Sequence, residues 1–340
     1  MPLKRGDNMK SMGIIANPAS GKDIRRLVSH ATVVDNNEKI NIVKRIILAS
    51  QGTGVEKIYI MPDTFLIGHK AIEDLKLSKE LKVPVEILDM KVQGNLKDTI
   101  IAAELMEELD VGVIVVLGGD GTLRAVAKGN SSIPIIGIST GTNNVYPRMI
   151  EGTVAGMAAS AIAMNMCDKD RTCIRDKRIE IFKKSKLVDI ALVDCVISKQ
   201  TYVGSRAIWN EEDIVKVIVS NAHPAAIGFS TIVGVKKIIT DKDDFGASIN
   251  LNVGNNYYLA PIAAGTMKTI RIDEPVIHKI DESFRIEFNF NGIMALDGER
   301  ELPFKSGDAY EFKITKNGPL RVDVRKTIES AQEKGFFICK

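Results

Sequence analysis

No apolar run in this chain approaches the ~20 residues that a helix needs to cross a bilayer. The longest, such as residues 111–117, are far shorter, which argues against a membrane-spanning helix. Residues 1–11 are polar and basic and lack an apolar core. They read as a flexible lead rather than a secretory signal, with Met9 or Met12 as an alternative start. Cysteine is scarce: Cys167, Cys173, Cys195 and Cys339 form no C-x-x-C pair, and no histidines cluster beside them. Neither a zinc site nor a disulfide framework is signalled, and reduced thiols in the cytoplasm are the expectation. An excess of one charge is missing too. The 46 basic and 43 acidic residues leave a net charge of +3, too little to point to nucleic acid or an anionic membrane. Internal repeats and low-complexity tracts are absent. What remains is 340 residues, 45% hydrophobic and 26% charged, the makeup of a globular protein with room for two domains.

The first part alternates short apolar runs with helical spacing. Residues 12–16, 57–61, 83–88, 113–117 and 133–138 read as strands, and 38–49, 96–109 and 121–128 as helices. Nearly all-apolar strands alternating with helices imply a parallel sheet covered on both faces. After Pro147 a helix is expected over 153–166, then many strands: 179–183, 188–197, 215–219, 247–253, 285–290, 293–296, 311–314 and 320–324. Turn pairs such as Asn255-Asn256, Asn291-Gly292 and Asn317-Gly318 separate them, predicting a sandwich-like all-β second domain. The expected division is 12–147, 148–324, and a C-terminal segment 325–340 whose helix, 327–333, folds back onto the first domain.

The strongest chemical signal is the valine-rich strand 113–117 running directly into Gly118-Gly119-Asp120-Gly121-Thr122 and a helix. Ligands of open α/β sheets bind at the carboxyl ends of strands. Glycines there let backbone N–H groups approach phosphate oxygens, and the positive end of the following helix favours the same charge. Asp120, a carboxylate inside such a loop, suits either holding Mg²⁺ or accepting a proton from an attacking hydroxyl. Rossmann and P-loop fingerprints both fail here: Arg124 stands where G-x-G-x-x-G needs its last glycine, and residues 16–23 lack the glycine and hydroxyl of a P-loop. The bland alternative is a strand–helix turn that uses glycine for geometry alone. Two more polar loops end neighbouring strands, one with Asn17, Ser20, Gly21 and Lys22, the other with Thr140, Gly141, Thr142, Asn143 and Asn144. Together the three make one polar cleft. Asp297 and Glu299 flank Gly298 on a turn of the second domain. They offer a metal or proton site across that cleft, or an ordinary exposed turn. Trp209 and residues 203–207 suit an acceptor pocket or plain core.

These motifs together resemble the superfamily joining NAD kinases, diacylglycerol and sphingoid-lipid kinases and, distantly, phosphofructokinases. Residues 118–122 match its Gly-Gly-Asp-Gly-Thr signature, while Asn17-Pro18-x-Ser20-Gly21, Gly141-Thr142-x-Asn144 and Asp297-Gly298-Glu299 match loops of the lipid-kinase branch. With residues 41–45, 54–63, 141–147, 203–209 and 227–230, most of the chain is similar to the ATP-NAD kinase-like proteins of the acetoin-catabolism protein X type. The resemblance implies a Rossmann-like α/β first domain, a β-rich second domain and nucleotide bound between them. It implies Asp120 as the catalytic acid/base, with Glu299 beside it, and phosphate contacts from Gly118, Gly119, Gly121 and Thr122. Where NAD kinases carry an Asn-Glu pair gripping adenosine, this chain has Val193-Asp194, and Asp194 is the candidate for a ribose or amine. The expected activity is phosphoryl transfer from ATP with Mg²⁺ to a hydroxyl. NAD, at its adenosine 2′-hydroxyl, is the favoured acceptor and a lipid or sphingoid hydroxyl the runner-up. A nucleotide-binding accessory protein without transfer is the rival. Relatives of this kind are commonly dimers or tetramers, so a homo-oligomer is expected by resemblance.

Overall fold

The computed structural model describes residues 10–20, 34–141, 144–200 and 211–338. Five apolar runs become parallel strands with helices between them. In order these are β1 (Ser11–Ala16), α1 (Asn36–Gly52), β2 (Lys57–Ile60), α2 (Ile67–Leu77), β3 (Val85–Ile87), α3 (Leu96–Glu108), β4 (Ile114–Gly118), α4 (Asp120–Gly129) and β5 (Ile135–Ser139). Alternate residues of one strand feed two cores. Val113, Val115 and Leu117 pack on α1, α2 and α5 (Gly152–Ala163), whereas Ile114 and Val116 pack on α3 and α4. A strand buried on both faces has no polar side to alternate with, which is why the runs are continuous. Each such valine or isoleucine contributes about 1.5–3 kcal/mol relative to exposure.

The strands are ordered β3-β2-β1-β4-β5, so the order reverses between β1 and β4. That reversal sets the two following loops side by side at one edge of the sheet. The sheet is not complete at β5. It continues through β19 (Leu320–Val322), parallel to β5, and β6 (Cys173–Arg175), antiparallel to β19. The short helix α6 (Lys169–Thr172) leads into β6, and α8 (Val324–Glu333) packs on α5. Helix α8 thus lies against the helical layer of the first sheet. The division at 147/148 shifts: α5, α6, β6 and β19 all belong with the first sheet, and the chain crosses to the second unit after Arg175.

The second unit holds β7 (Arg178–Lys183), β8 (Lys186–Ala191), β9 (Asp194–Ser198), β10 (Ile214–Val219), α7 (Ser230–Gly234), β11 (Phe245–Asn250), β12 (Tyr257–Ala263), β13 (Thr266–Arg271), β14 (Val276–Lys279), β15 (Ser283–Glu287), β16 (Gly292–Leu296), β17 (Glu299–Phe304) and β18 (Ala309–Thr315). A six-stranded antiparallel sheet, β14-β11-β10-β9-β16-β17, faces a four-stranded one, β15-β18-β7-β8. Ile179, Ile181, Ile197, Met294, Phe312 and Ile314 fill the space between them. The other face of the larger sheet is covered by α7 and the β12–β13 hairpin. The strand expected over 188–197 is two strands in different sheets. The three N–H groups at the crossover, on Leu192, Val193 and Asp194, donate to the Asp297 carboxylate at 2.7–3.2 Å. Buried N–H groups released from a ladder must find another acceptor, and here a side chain supplies it.

Candidate active site

Glycine at the end of β4 lets the chain turn sharply into α4, whose cap residue, Gly119, makes no side-chain cap bond. The first-turn N–H groups of a helix have no acceptor inside it, so this end suits an anion. The β1 loop is sewn to this turn. Asn17 donates its backbone N–H to Leu117 (3.0 Å) and its side-chain amide to Thr122 Oγ1 (2.9 Å). The β5 loop joins as well: Ser20 and Thr140 hydroxyls pair at 2.8 Å, Thr140 N–H donates to Gly118 (3.0 Å), and Asn144 donates to Ser139 Oγ (2.7 Å). A Cβ on Gly119 would lie 2.7 Å from Asn144 Oδ1, and Gly141 packs on the same amide. The three polar loops read from the sequence thus form one layer. Gly21, Lys22, Thr142 and Asn143, together with residues 203–209, lie outside the described residues.

Asp120 opens α4 and is 7% exposed. Its carboxylate accepts from Tyr146 N (2.9 Å, Oδ1) and Val145 N (3.0 Å, Oδ2), which ties the β5 loop to the start of the helix. Beside this layer lies a cavity of about 280 Å³ lined by residues 17–19 after β1, 61–64 after β2, 94–96, 98 and 99 at the start of α3, and Glu299 of β17; Asp120 and the described residues of the loops after β4 and β5 are not on its wall. Two of its acids already serve the backbone. Asp63 accepts from Phe65 and Ile67 N–H at 2.8 Å, and burial pushes its carboxyl above the ordinary range. Asp98 accepts from Gln93 and Gly94.

Glu299 crosses from the second unit and covers Gly121, where any Cβ would fall on its carboxylate. Its side chain remains 44% exposed and pairs with Arg124 at 3.0 Å. Arg124, fully buried, also reaches Asp189 and Asp297, each at 3.5 Å. Asp297 departs from the metal-ligand expectation. Its side chain is enclosed and already serves three N–H groups and Arg124, and burial pushes its carboxyl up against their opposing pull. Its backbone turns with φ of 50° and that of Gly298 with 79°, a left-handed pair that aims one acid inward and the next at the cavity. Asp194, 6% exposed, lies beside the Asp297 turn, where its carbonyl accepts from Asp297 N–H at 3.0 Å. Among the described residues no group of three His, Cys, Asp or Glu is placed to hold a metal.

Sequence reasoning missed two cations. Lys39 is fully buried and braces the β1 loop by donating to the carbonyls of Asn17 (2.9 Å) and Ser20 (2.7 Å) and to Asn36 (3.1 Å). Its signal was a lysine in line with Val43, Ile46 and Ile47 on the apolar stripe of α1. Arg124, in the wholly buried run 123–126 of α4, gave the same kind of sign.

The chain is similar to known proteins along most of its length. The profile of the family described as the ATP-NAD kinase N-terminal domain matches residues 12–165, and that of the acetoin catabolism protein X C-terminal domain matches 177–317. Acetoin catabolism protein X of Cupriavidus necator is 36% identical over 343 residues, covering 94% of this chain and 92% of that protein. The chain belongs to the acetoin catabolism protein X family. The crystal structure of yeast NADH kinase complexed with NADH matches 98% of the chain, and 89% of its own, at a TM-score of 0.50 and 13% identity, a likeness of fold. The gap between the two profiles falls at α6 and β6, where the chain leaves the first sheet. No helix among the described residues is long and apolar enough to cross a membrane.

Proposed function

We propose that this member of the acetoin catabolism protein X family is an ATP-dependent kinase acting on a hydroxyl, with the adenosine 2′-hydroxyl of NAD as favoured acceptor. The observation that carries the proposal is Glu299, brought from the second unit onto Gly121 and into the wall of the cavity beside the β1 and β2 loops. In this reading the start of α4 receives the terminal phosphates of ATP. Asp120 takes the proton of the acceptor hydroxyl as its oxygen attacks the γ-phosphorus and ADP departs. Mg²⁺ fits as an ion carried on those phosphates, since Mg²⁺ keeps most of its water and needs one or two carboxylates. Glu299 would hold it, and the ion would supply charge neutralisation to the phosphates. NAD as acceptor is supported by the ATP-NAD kinase profile over 12–165. Action in the cytoplasm fits Cys167, Cys173 and Cys195, none of them in a disulfide. The test is ADP release by purified protein with Mg²⁺, ATP and a panel of hydroxyl acceptors including NAD. Transfer to a lipid hydroxyl but not NAD would replace the acceptor.

One observation favours a second reading, nucleotide binding without transfer: the Asp120 carboxylate is turned onto the Val145 and Tyr146 N–H groups. ATP binding with no ADP from any acceptor would decide for it.

A further inference from the structure

The β5 loop that grips Asp120 is itself held from behind. Tyr146 gives its backbone N–H to Asp120, and its hydroxyl donates to the carboxylate of Asp176. Asp176 lies in the link between β6 and β7, where the chain passes from one unit to the other, and is 2% exposed. Arg321 of β19 clamps it bidentately, Nε at 2.9 Å and Nη2 at 3.1 Å, and reaches Asp241 of the second unit at 3.0 Å. Burial pushes the Tyr146 phenol well above its ordinary range, and the charge of Asp176 adds to the effect, so the hydroxyl keeps its proton and stays a donor. A charge-assisted bond of this kind is stronger than a neutral one.

We infer that Tyr146 is a positioning residue for Asp120: its hydroxyl, latched to the Asp176–Arg321 pair at the junction of the two units, fixes the N–H group that orients the carboxylate. The inference deepens the kinase reading and rests on it for its catalytic consequence. The geometry gives the reason for a tyrosine here rather than any other large side chain. A phenylalanine would fill the same space, but nothing would then tie the loop to the crossing point. The relative setting of the two units is thereby felt at Asp120 through one side chain.

Tyr146→Phe tests this. Asp176 keeps both bonds from Arg321 in the variant, so the fold is retained. Without its latch the loop opens more often, and amide hydrogen exchange over residues 144–146 rises roughly tenfold. The kcat for ADP release falls by a similar factor while the KM for ATP is unchanged. Exchange equal to wild type overturns the latch, as does a kcat that rises, which would make the contact a brake. If wild-type protein forms no ADP with any acceptor, the kinase reading falls while the exchange comparison still decides the latch. Should Tyr146→Phe fail to fold, Asp176→Asn keeps an acceptor for the hydroxyl but removes the charge. It is expected to raise exchange over the same residues by a smaller factor, and no rise there likewise overturns the proposal.

Discussion

Replacing Asp120 by asparagine separates a chemical role from a structural one. The carboxylate offers one oxygen to Tyr146 N at 2.9 Å and the other to Val145 N at 3.0 Å. Asparagine has one carbonyl oxygen to share, and its NH₂ must face the second N–H. A buried donor left without an acceptor costs about 1–3 kcal/mol. Against a total stability of about 5–15 kcal/mol, nearly every molecule stays folded. Loss of a general base costs about 10²–10⁴ in rate, far more than the fraction unfolded can account for. Calorimetric ATP binding, thermal melting and ADP release should therefore give nearly unchanged affinity, a lower Tm and almost no turnover. Turnover within twofold of wild type would remove Asp120 from the mechanism. Turnover and ATP affinity falling together would mean that the loop has collapsed and that proton transfer is not what was lost.

Arg124→Met leaves the fully buried Asp297 and its neighbour Glu299 without their cation, and should cost about 3–5 kcal/mol in urea unfolding. Arg124→Lys should not rescue it, because a point charge cannot span three carboxylates. A loss under about 1 kcal/mol would place the hub among ordinary surface pairs. Gly121→Ala puts a methyl where the Glu299 carboxylate lies. The far end of a side chain can move, so the fold should hold while the KM for Mg-ATP rises. An unchanged KM would detach Glu299 from the nucleotide. Burial, with Lys216 adding to it, lowers the pKa of His278 from 6.5 to about 4. Between those values the unfolded chain takes a proton that the folded chain refuses, so stability falls as pH drops from 6.5 towards 4. His278→Gln should flatten that slope in melts at pH 7 and pH 5, and an identical slope would refute the assignment.

The parallel sheet was legible because strands buried on both faces leave unbroken apolar runs, and the site's loops because polar residues and glycines punctuate those runs. Helix α2 was missed; it begins after Leu66, which sits at φ 60° with no capping side chain. The run 188–197 read as one strand because Leu192 and Val193, at the crossover, are as apolar as their neighbours. The acceptor that breaks the ladder there stands 105 residues away. The Asp-Gly-Glu turn was visible as a pair of acids, yet its two carboxylates part company. One is enclosed by backbone and the other is turned to the cavity, a choice made by left-handed turn geometry and by Arg124 rather than by spacing. Lys39 and Arg124 stood out as cations on apolar faces, but carbonyls and acids brought near by folding decide what they hold.

The seventh-strand arrangement of the first sheet has a consequence for the birth of the protein. The outer edge of β5 meets Arg148 at Ile138, but at Ile135 its partner is Arg321 of β19, which the chain reaches only after the second unit. A nascent chain still on the ribosome carries the first half of this apolar strand with its edge open through the whole synthesis of the second unit. Such an edge invites pairing with other chains, so β19 acts as the closure that makes the first unit safe from its neighbours.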